Sequence, residues 1–331
     1  MIKTDLVTGF LGSGKTTFIR RYARYLIGRG ENIAILENDH GAINVDALIL
    51  NELEDEGCDI ETIAGGCDHD CHVRRFRTKL ISMGMLGYDR VIVEPSGIYD
   101  VDEFFDVLHE EPLDAWYEIA NVIAIADANM LAPGSDLSYE ARYFLMSQAA
   151  AAGMLVLSHI RSGDRIDPAE TVQVLDRIMK EFKCDRQFDE TDLIAKDWDQ
   201  LTERDFGKIT SCGYHAADHI KLPIEDDNSF TSVYFLNLPQ PLSQMEEKAF
   251  LLLRDRTVGH VLRIKGFHFE DGKWFELNAA HSETSVRECG AGQEVFLVIG
   301  ENLCQEKIAE RVIPARMRDK VWHNGQVYKG E

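Results

Sequence analysis

The first two-thirds of the chain alternates near-continuous apolar runs with longer amphipathic stretches. Residues 6–8, 33–36, 91–93, 122–126 and 154–157 have the run pattern of strands buried on both faces. Between and after them, residues 15–27, 73–85, 102–108, 138–150 and 169–182 carry apolar positions at helical spacing. Strands alternating with helices predict an α/β fold around a mostly parallel sheet. Residues 219–229 are polar, with Pro223 and an Asp226-Asp227-Asn228 run, and read as a linker. Beyond it the pattern changes. Strands are expected at 231–236, 261–269, 274–278 and 294–299, with a helix begun by Ser243 and another from about 304 to 312. Asp271-Gly272 between two of these strands is a hairpin signal. The division is therefore an α/β domain over 1–218, a linker over 219–229, a smaller α+β domain over 230–315 and a tail over 316–331.

The first strand runs straight into Gly9-Phe10-Leu11-Gly12-Ser13-Gly14-Lys15-Thr16, which fits G-x-x-x-x-G-K-[ST] between a strand and a helix. In such a loop Gly9, Gly12, Ser13, Gly14 and Thr17 frame the phosphates with backbone N–H groups. Lys15 reaches the β- and γ-phosphates, and the Thr16 hydroxyl faces Mg²⁺. The strand Val91-Ile92-Val93 ends in Glu94, followed by Pro95-Ser96-Gly97. A carboxylate there can hold Mg²⁺ through water, and the Gly97 amide can meet the γ-phosphate. The alternative is a glutamate that merely ends a strand. Nucleotide binding is the expectation.

Charge adds a second theme. With 35 Lys+Arg against 57 Asp+Glu, the net charge is −22, which argues against a sequence-independent nucleic-acid binder. Twelve acids and no base lie between Gly30 and Val73: either a solvated face or a field that gathers cations. Inside that window, Gly65-Gly66-Cys67-Asp68-His69-Asp70-Cys71-His72 concentrates thiol, imidazole and carboxylate donors suited to Zn²⁺, Co²⁺ or Ni²⁺. On an extended segment Cys67, His69 and Cys71 would point one way, with His72 and Asp70 in reserve and His40 as a further donor. The alternative is a polar loop serving the nucleotide. Cys212, His215 and His219 form a third group, whose two histidines would share a face if helical. No run reaches the length of a membrane span, and the start lacks the layout of a signal peptide. Seven cysteines without such a signal predict a reduced, cytoplasmic setting.

These residues resemble the CobW-type members of the CobW/HypB/UreG group of P-loop GTPases. The resemblance rests on the 9–17 loop, Glu37-Asn38 with Asp46 beyond, Glu94-Pro-Ser-Gly97 and Asp127. It extends to Leu262-Arg263-Ile264-Lys265-Gly266-Phe267 with Trp274 in the second domain. It implies a P-loop NTPase domain followed by a CobW C-terminal-like α+β domain. The implied activity is slow hydrolysis of GTP, with ATP as the alternative, coupled to delivery of a transition metal to a recipient metalloprotein or its assembly factor. Lys15, Thr16, Asp46 and Glu94 then form the catalytic set, and Glu37 joins the metal set. Arg74 is either an ordinary cation at a helix start or a residue supplied across a homodimer. The rival reading is a nucleotide-dependent assembly switch whose Cys/His loop docks a partner or acts in redox.

Three positions depart from the family pattern. Its Cys-x-Cys-Cys is replaced by Cys67-Asp-His69-Asp-Cys71-His72, and an acid after the first-switch glycine is replaced by Ala42. Ser158-His159-Ile160-Arg161 stands where the family has Asn/Thr-Lys-x-Asp, whose Asp accepts from guanine N1 and N2. An arginine has no acceptor to offer. Asp164 or Asp167 in a rearranged loop, use of ATP, or tolerance of either base all remain open.

Overall fold

The computed structural model describes residues 1–38, 50–63, 69–95, 101–161, 163–221, 230–280, 284–290, 292–314, 322–323 and 326–327. The chain divides into two compact units, Met1–Lys221 and Leu222–Glu331. No helix among the described residues is long and apolar enough to cross a membrane.

The first unit is built on a seven-stranded sheet. In chain order its strands are β1 (Ile2–Thr8), β2 (Ile33–Asn38), β3 (Asp59–Ile63), β4 (Arg90–Pro95), β5 (Tyr117–Asp127), β6 (Met154–Ser158) and β7 (Leu193–Ile194). Their order across the sheet is β3-β2-β4-β1-β5-β6-β7, and every pairing is parallel. The crossovers include α1 (Lys15–Gly28), α2 (His69–Gly84), α3 (Val101–Leu108), α4 (Leu113–Trp116), α5 (Tyr139–Ala150), α6 (Pro168–Glu181) and α7 (Glu203–Ile209). α1 buries Phe18, Ile19, Tyr22, Ala23 and Leu26. Their helical spacing makes one stripe, which packs against Val7, Ile35, Ile92 and Ile123 of the central strands. α6 starts on an Asp167 side chain accepting from the Ala169 N–H, with Pro168 at the first position.

Among the expected elements, the five strand runs and five helical stretches of this unit are present. α2 begins at His69, four residues before the expected start, because its first turn is polar and the apolar period does not reach it. β3, β7, α4 and α7 were not anticipated.

A buried ionic cluster ties these layers together. Arg90 of β4 donates to Asp5 of β1 at 2.6 Å and to Glu31 at 2.8 Å. Tyr22 of α1 donates to Asp5 at 2.7 Å, and Asn121 of β5 donates to it at 2.7 Å. Burial pushes the Asp5 carboxyl up, with Arg90 and its other donors pulling the other way.

The second unit holds a five-stranded antiparallel sheet in the order β11-β10-β9-β12-β8. Its strands are β8 (Phe230–Leu236), β9 (His260–Glu270), β10 (Lys273–Ala280), β11 (Thr284–Cys289) and β12 (Val295–Glu301). With them come α8 (Leu242–Leu252), α9 (Gln305–Val312) and a short β13 (Trp322–His323) and β14 (Gln326–Val327) pair. Phe235, Ile264, Leu277, Phe296 and Val298 from one sheet face meet Met245, Ala249, Leu252, Ile308 and Val312 from the helices. The Asp271-Gly272 turn closes β9 onto β10, with both residues left-handed at φ 52° and 79°, the type I′ requirement. This arrangement is α+β, as expected. β11, β13 and β14 were not anticipated, the last two falling in the expected tail, and residues 222–229 of the expected linker lie outside the described residues.

Arg90→Leu leaves the Asp5 carboxylate buried without its cation and is expected to lower the unfolding free energy by about 3–5 kcal/mol. Adding Asp5→Asn should recover part of that loss. Urea titration followed by tryptophan fluorescence measures both, and a single-variant loss below about 1 kcal/mol would contradict the structural role of the pair.

Candidate nucleotide and metal site

The loop between β1 and α1 is held open by backbone geometry. Gly9 has φ 147°, and a Cβ there would lie 2.3 Å from the Ile125 carbonyl of β5. Gly14, the residue before α1, is left-handed at φ 94°. A Cβ on it would meet the Trp198 ring at 3.1 Å. The first turn of α1 contains no acid, so its N-terminal field is left for an anion. The Ser13 hydroxyl is buried and has no hydrogen-bond partner among the described residues. A cradle of inward N–H groups with an orphaned hydroxyl fits phosphate oxygens.

Lys15 is buried and donates from Nζ to the Gly9 carbonyl at 3.0 Å, so its ammonium spans the mouth of the loop. Thr16 donates from its hydroxyl to Glu94 Oε1 at 2.8 Å, joining α1 to the end of β4. A hydroxyl and a carboxylate together are the hard oxygen donors that Mg²⁺ takes. Thr17 is half-buried in the first turn of α1. Asp46 and Gly97 lie outside the described residues.

One residue of this site was not found from the sequence. Gln148, fully buried on α5, accepts at Oε1 from the Thr8 hydroxyl and from the Gly9 N–H at 3.2 Å. It anchors the strand exit into the loop from 140 positions away. A buried glutamine inside the apolar stretch Phe144–Ala150 was the available signal, but nothing in its spacing named the partner.

Of the metal set, Glu37 ends β2 and is 2% exposed. In the β2–β4 register it lies directly beside Glu94, with Asn38 beside Pro95. Cys71 and His72 fall in the first turn of α2, Cys71 half-buried and His72 1% exposed. Because His69–Cys71 is helical, positions 69 and 71 are about 200° apart around the axis rather than on one side. The extended-segment geometry expected for them is therefore not the one found. Cys67 and His40 lie outside the described residues, as does the side chain of His69. Among the described residues no three His, Cys, Asp or Glu side chains converge on one point.

The third cysteine–histidine group does not take the helical arrangement considered for it. Residues 212–219 are not helical, so the two histidines share no helix face. Gly213 donates its N–H to Asn121, and its backbone packs on Gly153. Burial pushes the Cys212 thiol up to about 12. The acidic window is also more compensated than its sequence suggests. Glu31 pairs with Arg90, Glu61 with Lys79, and Glu52 and Glu56 with Arg24.

At the far side of the loop, β6 ends against the phosphate loop: Ser158 Cβ is 3.8 Å from the ideal Cβ position of Gly14. His159 is left-handed at φ 56°. Its Nδ1 lies 3.0 Å from Asp127 Oδ2. Burial works to raise the Asp127 carboxyl, but hydrogen bonds from His159 and Asn129 outweigh it and hold the group below the usual range. Trp198 donates from its indole to the Leu157 carbonyl at 2.7 Å and packs edge-on against Phe18.

The family described as CobW/HypB/UreG, nucleotide-binding domain, matches residues 3–189. The chain is 28% identical over 223 residues to Zinc chaperone YeiR of Escherichia coli (strain K12), covering 66% of this chain and 65% of that protein. It is 31% identical over 137 residues to Zinc chaperone YjiA of the same organism, covering 38% of this chain and 41% of that one. The matched region thus spans less than two-thirds of either curated relative. Among solved structures, the crystal structure of Zn(II)-bound YjiA GTPase from E. coli is similar at 19% identity and TM-score 0.38, covering 94% of this chain and 97% of that one.

Two outcomes follow from this geometry. Gly9→Ala is expected to abolish binding of a fluorescent nucleotide, because its Cβ can be accommodated only by moving β5 backbone; retained affinity would contradict the loop geometry. Cys58 and Cys212, both pushed up to about 12 by burial, remain thiols far above neutrality. Mass spectrometry after iodoacetamide treatment at pH 8 should find both unmodified in folded protein and modified in urea.

Proposed function

Because the chain belongs to the CobW/HypB/UreG family of nucleotide-binding domains, we propose that it is a cytoplasmic P-loop GTPase that binds a divalent transition metal as cargo and hands it to a recipient protein. The carrying observation is the register of β2 and β4, which sets Glu37 beside Glu94 at the strand ends. Glu94 belongs to the hydrolytic side through Thr16. Glu37 belongs to the cargo side, with Cys67, His69 and Cys71 as the donor loop and His72 and His40 nearby in sequence. The names of the relatives YeiR and YjiA make Zn²⁺ the first cargo to test, and thiolate with imidazole suits that ion.

In this reading each residue has a defined task. The loop amides from Gly9 to Thr17 orient the triphosphate, and Ser13 supplies a hydroxyl to it. Lys15 exchanges the Gly9 carbonyl for phosphate oxygens and balances charge on the transferring group. Thr16 and Glu94 would hold Mg²⁺, which when bound neutralises phosphate charge. Asp46 is assigned to orienting the attacking water. Gln148 keeps Gly9 in place while Lys15 changes partner.

Zinc titration against a competing chelator tests the proposal on the wild type and on a Cys67→Ser/Cys71→Ser double variant. The double variant is expected to bind at least tenfold more weakly, and Zn²⁺ is expected to change the GTPase rate of the wild type while leaving that of Glu37→Gln unaltered. Equal affinities in the wild type and the double variant would overturn the cargo site and leave a nucleotide-dependent docking switch as the better reading.

A further inference from the structure

Ordering a phosphate loop has a conformational cost, because glycine loses more backbone freedom on being fixed than any other residue. Gly9 is fixed from outside the loop, by the Gln148 side chain and by the Ile125 carbonyl packed against it. Gly14, the residue that opens α1, is left-handed at φ 94°. Its restraint comes from Trp198. The atoms nearest to a Cβ built on Gly14 are Cη2 and Cζ3 of that indole, at 3.1 and 3.5 Å, with Ser158 Cβ next at 3.8 Å.

Trp198 is itself held from three directions. Its indole N–H donates to the Leu157 carbonyl of β6 at 2.7 Å. Its ring meets Phe18 of α1 edge-on, with the centroids 5.7 Å apart. Arg21, also on α1, donates to the Trp198 carbonyl at 3.1 Å and to the Asp199 carboxylate at 2.6 Å. Asp197 accepts from the Asp199 N–H at 3.0 Å, closing the turn that carries the ring. With its N–H committed to β6, the half-buried indole presents the far edge of its six-membered ring to Gly14. The ring thus joins the apolar core beneath α1 to the backbone of the phosphate loop.

We propose that Trp198 is a positioning residue for phosphate binding: its ring holds Gly14 left-handed before the ligand arrives and so sets the amides that open α1. This rests on the nucleotide-binding part of the function proposed above. Pre-organisation of this kind raises affinity by removing an ordering cost, with no need for the ring to touch the ligand. The gain belongs to the phosphate end, so it is the same whatever base the nucleotide carries.

The test uses the full chain, which carries four tryptophans. Replacing Trp116, Trp274 and Trp322 by Phe leaves Trp198 as the sole emitter. The probes are inorganic tripolyphosphate, GTP and ATP, each with Mg²⁺. The Trp198 emission is expected to shift on saturation with each of the three. In Trp198→Phe, whose shorter ring withdraws from Gly14, all three ligands are expected to weaken by the same factor, about tenfold or more. Affinities are measured well below the melting temperature of each protein, so lost stability alone leaves them unchanged. An emission that stays fixed at saturation would overturn the proposal, and so would wild-type affinity in Trp198→Phe. A loss confined to GTP and ATP, with tripolyphosphate unaffected, overturns it too, because the ring then acts on the nucleoside. If Trp198→Phe does not fold, the emission of the sole-tryptophan protein decides. In each of these cases nucleotide binding by the wild type leaves the function proposed above standing. Failure of the wild type to bind any of the three probes removes that function, and this proposal with it.

Discussion

The architecture of the first unit turns on one buried ion pair, Asp5 with Arg90. Both side chains are removed from water, and charges in that condition are tolerated only when each is paired and its remaining hydrogen-bonding capacity is filled. Filling it recruits an element from every side: Tyr22 from α1, Asn121 from β5 and Glu31 from the turn before β2. Tyr22 lies two helical turns below Lys15. The contact that satisfies Asp5 therefore also sets the axis of α1, and with it the direction in which the phosphate loop opens. Asn121 carries the chain of contacts onward through the Gly213 N–H and the Thr210 carbonyl. The segment after α7 is held at Gly213 by that contact.

Charge along the chain and charge in space are different quantities. Twelve acids with no base between Gly30 and Val73 read as a strong local field, yet Glu31, Glu52, Glu56 and Glu61 take their counterions from outside the window. α1 supplies Arg20 and Arg24, α2 supplies Lys79, and β4 supplies Arg90. Surface pairs of this kind contribute little stability each, but they remove charge that would otherwise act at a distance. Among the described residues, Glu37 and Glu94 are buried side by side at strand ends, where their effect on a cation is short-range.

Legibility followed burial. Strands in the middle of the parallel sheet are apolar on both faces and stood out as runs. The strands that escaped notice, β3, β7, β11 and the two-stranded β13–β14 pair, are all edges. An edge strand such as Asp59–Ile63 mixes Asp59, Glu61 and Thr62 with Ile60 and Ile63, because one side meets solvent. The same logic applies to the site. The phosphate loop is a contiguous motif whose chemistry is written in eight consecutive residues, so Lys15, Thr16 and the glycines were readable. Gln148 acts on the same loop from another helix, and its partner is specified by packing alone. The start of α2 was misjudged because His69, Asp70, Cys71 and His72 carry no apolar period, although the helix includes them.

Register carries the remaining argument. Parallel strands that are apolar on both faces admit no slip: a one-residue shift of β2 against β4 would turn Leu36 and Ile35 to opposite faces and move Glu37 away from Glu94. The adjacency of the two carboxylates is therefore as rigid as the core. Two carboxylates carried on neighbouring strands, whose backbones run about 4.8 Å apart, each raise the affinity of the other for a cation, and a divalent ion taken by one weakens the field that the other offers a second. If Glu37 ligates cargo as proposed, filling the nucleotide's metal position and filling the cargo position are linked through that pair. Linkage of binding free energies is reciprocal, so cargo must act on nucleotide occupancy to the same extent that nucleotide acts on cargo. Direct coupling of this kind needs no long-range path through the domain, only the shared register of two neighbouring strands.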